Sequence, residues 1–356
     1  MSEGALMILG IHGPQLSVEE ARRFRELQPA GYILFSRNMI DPQQTRQLTD
    51  DLRDLSEELP LIAIDEEGGR VSRIRGFAAC APSAQAMGAH ADMGKIADAA
   101  EMTTDLLLLL GVNWNFAPVL DLDHFPNAAN AMGGRCWSRN PQRVIDYVGQ
   151  WNRWARKRGI VTCAKHFPAG GRAMVDPHHD LPSSSATLEE LLREDVIPYT
   201  ALMPELDAIM LAHVDFPAID ASRPASLSAR IIRRFLRDQL GFDRQVLIPD
   251  DLDMAAIQKR FGRGEDARLA IEAGNDLALI CHQTEGIEAV AKSIEELPCT
   301  ILEEAHQRVH RLRRKLKTPV PWTDAAWQGA CSRMAALGDV IKEPQAIVEA
   351  SPVQDY

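Results

Sequence analysis

Short aliphatic and β-branched runs alternate along the chain with longer segments of helical periodicity, the pattern of repeated β-α units around a parallel sheet. Candidate strands fall at residues 5–11, 32–35, 61–65, 113–120, 161–167, 208–214, 245–250 and 277–281, and helical spacing is clear over 188–197 and 230–240. Several runs are continuously apolar rather than alternating, which suits parallel strands covered on the outside by helices. Eight such units predict an α/β fold, a TIM-like (β/α)8 barrel, with a doubly wound open sheet as the rival. Polar residues at the strand ends favour the barrel: Ser36-Arg37-Asn38, Asp65-Glu66-Glu67, Asp121, Lys165-His166, His213 and Asp250-Asp251 would converge on one mouth. Beyond Pro298 the pattern is helical only. The expected organisation is a barrel over 1–298 with a C-terminal helical extension over 299–356 packed on it. The basic stretch 308–317 reads as a solvated helix face, and fraying is expected from about Glu343.

Composition narrows the function classes. Lys plus Arg is 39 against 50 for Asp plus Glu, so the net charge of −11 disfavours a nucleic-acid partner. The opening residues lack a basic region, and their apolar run over 5–10 is too short for a signal peptide. The strongly apolar run 106–110 is far below the roughly 20 residues that span a bilayer. A cytoplasmic protein with no membrane partner is expected. Cys80, Cys136, Cys163, Cys281, Cys299 and Cys331 show no ligand spacing and read as reduced, buried thiols.

Three constellations carry chemistry. Residues 163–180 bring Lys165 and His166 out of an apolar strand, followed by a Gly/Pro-containing loop with Asp176, His178, His179 and Asp180. An imidazole two residues from a carboxylate can be held in one tautomer as a general acid/base, so Asp176 with His178 is a candidate dyad. A loop stitched by side-chain hydrogen bonds remains an alternative, and no third ligand at zinc spacing supports a metal. At 247–254 an apolar strand ends in Asp250, suited to act as nucleophile, general base or half of a magnesium site. Helix capping by Asp251 or Asp253 is the bland alternative there. At 64–73 acidic residues, glycines and arginines form one turn, where carboxylates and guanidinium groups suit a hydroxyl-rich ligand. A solvated charged turn is the other reading.

Taken together, the segments 31–38 (GYILFSRN), 65–73 (DEEGGRVSR), 115–123 (NFAPVLDLD), 165–168 (KHFP), 212–214 (AHV), 223–228 (RPASLS) and 250–254 (DDLDM) resemble, in order, the motifs of single-domain bacterial β-N-acetylhexosaminidases of glycoside hydrolase family 3. The resemblance implies a retaining mechanism with Asp250 as nucleophile and His178, held by Asp176, as acid/base. It also implies that Asp65, Arg73, Arg135, Lys165 and His166 hold the hydroxyls of N-acetylglucosamine. No metal or organic cofactor is implied. The implied substrate is a GlcNAc-containing muropeptide derived from peptidoglycan, cleaved during cell-wall recycling by a monomer. Departures from the family pattern cluster in one loop: Pro168-Ala169-Gly170-Gly171 replaces Pro-Gly-His-Gly, and Pro177 separates the dyad members. Pro249 precedes Asp250 in place of Ser, and Glu66 stands where the family has Gln. A family 3 β-glucosidase or β-xylosidase and an impaired sugar-binding homologue are the alternatives.

Overall fold

A computed structural model describes residues 4–126, 130–175 and 181–343. Ten strands form: β1 Met7–Gly10, β2 Gly31–Leu34, β3 Leu61–Ile64, β4 Glu66–Gly68, β5 Val71–Ser72, β6 Trp114–Asn115, β7 Val161–Phe167, β8 Ala208–Leu211, β9 Val246–Pro249 and β10 Ala278–Ile280. Eight of them make one parallel sheet in the order β10-β1-β2-β3-β6-β7-β8-β9. The register runs from Met7 opposite Ala278 and Ile8 opposite Gly31 through to Ala208 opposite Val246. Asp276 joins the two ends of that sheet. Its N–H donates to Leu247 O at 2.7 Å, and its carboxylate accepts from Leu247 N at 2.8 Å. The sheet is therefore a barrel of the TIM-like (β/α)8 kind, and the open-sheet rival falls.

The strands are buried on both faces: helices cover them outside, where Tyr32 packs against Phe24 of helix Val18–Leu27, and large side chains such as Trp114 and Phe116 fill the inside. Local sequence sets the covering helices. Asn140 caps Pro141–Arg158, proline occupies its first turn, and Gly159 ends it in the left-handed conformation. Helix Asp324–Val340 packs on helix Met93–Leu109. Among the described residues no helix is long and apolar enough to cross a membrane.

Each sequence run expected as a barrel strand overlaps one, with β2 beginning at Gly31, one residue before the expected run 32–35. The run 113–120 shortens to Trp114–Asn115, because Pro118 has no N–H to give the ladder; only Val119 bridges back, to Lys165. The helical stretch 188–197 breaks into Leu188–Arg193 and Ile197–Leu202. The antiparallel hairpin β4–β5 was not expected, since three and two residues are too few to show a period. Glu343, where fraying was expected to begin, is instead bonded to Ser83.

Candidate active site

The hairpin β4–β5 turns on Gly68 and Gly69, both with positive φ. A side chain at Gly69 has no room: its Cβ would sit 2.4 Å from Ser83 Cβ. Two glycines thus fold the acidic strand sharply back, so that Glu67 and Arg73 reach the C-terminal mouth of the barrel. Inside the hairpin, Glu66 Oε2 accepts from Arg73 N at 2.9 Å. Burial pushes the Glu66 carboxyl up to about 7, against the nearby Ser72 hydroxyl and hydrogen bonds from the amides of Arg73 and Ile74 that pull it down.

On β7, Lys165 and His166 are consecutive yet both line the cavity. Strict alternation would send one of them outward; the pairing with β8 shifts register between Ala164 and Phe167, which breaks the alternation there. Lys165 Nζ donates to Asp65 Oδ1 at 2.6 Å and pairs with Glu67 Oε1 at 2.7 Å. Arg135 holds Glu67 through two bonds of 2.8 Å, and its Nη2 lies 3.2 Å from His166 Nε2. His166 Nδ1 then donates to Asp121 Oδ2 at 2.7 Å, while Asp121 Oδ1 accepts from Gly171 N at 3.0 Å. Arg73 pairs with Asp65 at 3.4 Å and lies over the Phe35 ring. Burial pushes Glu67 up, but Arg135 and Lys165 outweigh it and hold the carboxyl far below its usual range. Burial likewise opposes the charge on Lys165, yet Asp65 and Glu67 raise its affinity for the proton.

Across the cavity, Asp250 follows β9, and its N–H extends the ladder to Leu211 O at 3.0 Å. One carboxylate oxygen, Oδ1, accepts from Asp251 N at 2.8 Å. Burial pushes Asp250 up, but His166, His213, the Asp251 amide and Lys165 together hold it below the ordinary carboxylate value. His213 is fixed from behind: Nε2 donates to Asp251 O at 2.9 Å, and Nδ1 meets Ser226 Oγ at 2.7 Å. Asp251 turns inward to the amides of Asp253 and Cys281, and Asp253 accepts from the amides of His282 and Gln283. Neither caps the helix that follows, Ala255–Gln258, whose cap position is Met254.

The resulting cavity is a cleft of about 770 Å³ that is partly open to solvent. Asp65, Arg73, Arg135, Lys165, His166 and Asp250 all line it. Asp176 and His178 lie outside the described residues. Sequence reasoning had placed Glu67, Asp121 and His213 at strand ends without giving them a part in the site, although each bonds directly to a lining group or lines the cavity itself. Among the described residues, His124, Glu194 and Asp195 bring potential metal ligands together. They lie off the cavity lining, and the Arg172 guanidinium already occupies both carboxylates, at 2.7 and 2.6 Å.

The chain is similar to known proteins in both sequence and fold. The Glycosyl hydrolase family 3 N terminal domain matches residues 6–312. A Beta-hexosaminidase of Pseudomonas aeruginosa is 34% identical over 315 residues, covering 88% of this chain and 92% of its own. A family 3 beta-N-acetylglucosaminidase from a Paenibacillus species superposes with a TM-score of 0.85 at 30% identity, over 94% of this chain and 68% of its own. NagZ from Neisseria gonorrhoeae, solved in complex with N-trifluoroacetyl-D-glucosamine, superposes with a TM-score of 0.80 at 27% identity, over 95% of this chain and 98% of its own. The chain belongs to glycosyl hydrolase family 3 and is a glycoside hydrolase.

Proposed function

We propose that the chain is a retaining exo-β-N-acetylglucosaminidase that removes terminal β-linked GlcNAc from peptidoglycan-derived muropeptides, working in the cytoplasm as a monomer. The observation that carries this reading is Asp250: a carboxylate held ionised by its surroundings, open to a cavity whose opposite wall is lined with hydrogen-bond donors and acceptors. On that wall Asp65 and Glu67 can accept from sugar hydroxyls, while Lys165, Arg73 and Arg135 can donate.

With Oδ1 engaged by the Asp251 amide, Asp250 Oδ2 is the oxygen available to the anomeric carbon. Its bond to that carbon forms as the bond to the leaving oxygen breaks, and His178, oriented by Asp176, gives that oxygen a proton. In the second half, water adds to the anomeric carbon, the Asp250 carboxylate departs, and His178 takes the water's proton. Keeping the sugar-binding charges paired prevents the developing positive charge at the anomeric carbon from meeting an uncompensated cation. The naming of the relatives as hexosaminidases supports the N-acetylated substrate class over a β-glucoside or β-xyloside.

The test is hydrolysis of 4-nitrophenyl N-acetyl-β-glucosaminide against the matching glucoside. Preference for the N-acetyl compound is expected, and His178→Ala should lower its turnover by about 10²–10⁴-fold, the usual contribution of a general acid/base. Preference for the glucoside would transfer the chain to the β-glucosidase reading, and full activity in His178→Ala would remove the proposed acid/base.

A further inference from the structure

Ser83 is buried at the junction of two pieces of the cavity wall that are far apart in sequence. It caps helix Ala84–His90, accepting at Oγ from Ala86 N at 3.1 Å. On one side it meets the β4–β5 turn, where Gly69 is packed against its Cβ and Gly69 N donates to Ala81 O at 2.8 Å. That turn carries Glu67 and Arg73. On the other side, the first turn of the capped helix touches the segment bearing Arg135: Gln85 N donates to Gly134 O at 3.2 Å. Further along, a Cβ on Gly88 would lie 2.2 Å from Trp137 O, so this contact too is close-packed. The short helix is therefore a spacer between the hairpin and the Arg135 turn, and Ser83 is its fixed end.

A residue from the far end of the chain grips that end. Glu343 accepts from Ser83 N at 2.6 Å through Oε1 and from Ser83 Oγ at 2.7 Å through Oε2, across 260 positions of sequence. Two bonds to one carboxylate fix orientation as well as distance, and the hydroxyl that donates to Glu343 is the one that accepts from Ala86. The approach of Glu343 is set by helix Asp324–Val340, whose Trp327 ring lies 6.0 Å from Phe77, in the loop between Arg73 and Ser83.

We propose that Glu343 is a positioning residue for sugar binding: by clamping Ser83 it sets the distance between the Arg73 hairpin and the Arg135 turn. The proposal rests on the reading that Arg73 and Arg135 hold the sugar. Glu343 touches neither the cavity nor Asp250, so its loss should loosen binding and leave the chemical step intact.

The test compares Glu343→Gln and Ser83→Ala with the unaltered protein. In both variants KM for 4-nitrophenyl N-acetyl-β-glucosaminide should rise about tenfold while kcat stays within about twofold, the signature of lost uniform binding. The double variant should be no worse than Ser83→Ala alone, because Ser83→Ala already removes the hydroxyl that Glu343 grips, together with the helix cap that hydroxyl provides. Amide hydrogen exchange should quicken in residues 66–73 and 133–137 and stay unchanged in β7. An unchanged KM, a matching fall in kcat, or exchange that quickens in only one of the two segments would overturn the proposal. If Glu343→Gln does not fold, Ser83→Ala decides by the same readouts. If the unaltered protein hydrolyses no N-acetylglucosaminide, the functional reading fails, and the exchange measurement still decides whether the clamp couples the two segments.

Discussion

The two sides of the cavity are built on opposite principles. Toward β3 and β7, Arg73, Arg135 and Lys165 answer Asp65, Glu67 and Asp121, directly or through His166, so that nearly every charged atom has a partner. Toward β8 and β9, His213 is turned to Ser226 and to a backbone carbonyl, and Asp250 keeps one oxygen toward the cavity. Buried ion pairs recover little net stability once desolvation is counted; on the proposed reading the first side serves display, presenting donors and acceptors that need no rearrangement when a sugar arrives. The second side holds its carboxylate ionised without neutralising it by contact. On the proposed reading, recognition and reactivity fall on separate walls.

The division is broken most severely at the reactive wall. Asp250→Asn keeps the shape of the side chain and removes the proposed nucleophile, so kcat should fall by roughly 10⁴-fold or more while melting temperature and GlcNAc binding, read by calorimetry, stay close to those of the unaltered protein. Activity within tenfold would mean that the reaction does not pass through Asp250. At the recognition wall the injury should instead be to stability. Lys165→Met leaves Asp65 and Glu67 facing each other without their shared cation, and urea unfolding should show a loss of about 3–5 kcal/mol. A loss below about 1 kcal/mol would show that the carboxylates find other partners or take up protons.

A smaller and oppositely directed effect sharpens the contrast between paired and unpaired carboxyls. Glu66 lies behind the recognition wall, where burial outweighs the hydrogen bonds and the nearby Arg73 charge that favour its ionised form and raises it from 4.5 to about 7. The folded state therefore binds this proton more tightly than the unfolded one, so the cost of folding is absent below about pH 4.5, grows as pH rises, and is complete above 7. Glu66→Gln keeps the oxygen that accepts from Arg73 N and carries no charge to bury. It should be more stable than the unaltered protein at pH 8, by on the order of 3 kcal/mol, with the difference vanishing toward pH 4.5. Equal stability at pH 8 would mean that Glu66 is ionised in the fold at no cost.

How much of this was legible in sequence follows from what kind of contact each feature depends on. The barrel strands were legible because each is a local apolar run, and the mouth because polar residues follow those runs. Asp250 stood out for the same reason, as the first carboxylate after a strand. Glu67 was hidden by its neighbours Asp65 and Glu66: three acids in a row look alike, and only the turn at Gly68-Gly69 decides that Glu67 meets Arg135, 68 positions away. Asp121 and His213 are single polar residues whose partners, His166 and Ser226, are supplied by other loops. The pairing of consecutive Lys165 and His166 into one cavity depends on a register shift that no periodicity announces.

The closure of the barrel has a consequence for how the chain is made. β1 lies between β2 and β10, with Met7 opposite Ala278, and Asp276 completes the seam. During synthesis at about 5–20 residues per second, one edge of β1 waits roughly 15–50 s for its partner to leave the ribosome. Throughout that interval the nascent sheet presents the apolar strand MILG with an unsatisfied row of backbone donors and acceptors. The same seam that seals the finished barrel leaves the edge of its first strand open for longer than any other while the chain is being made.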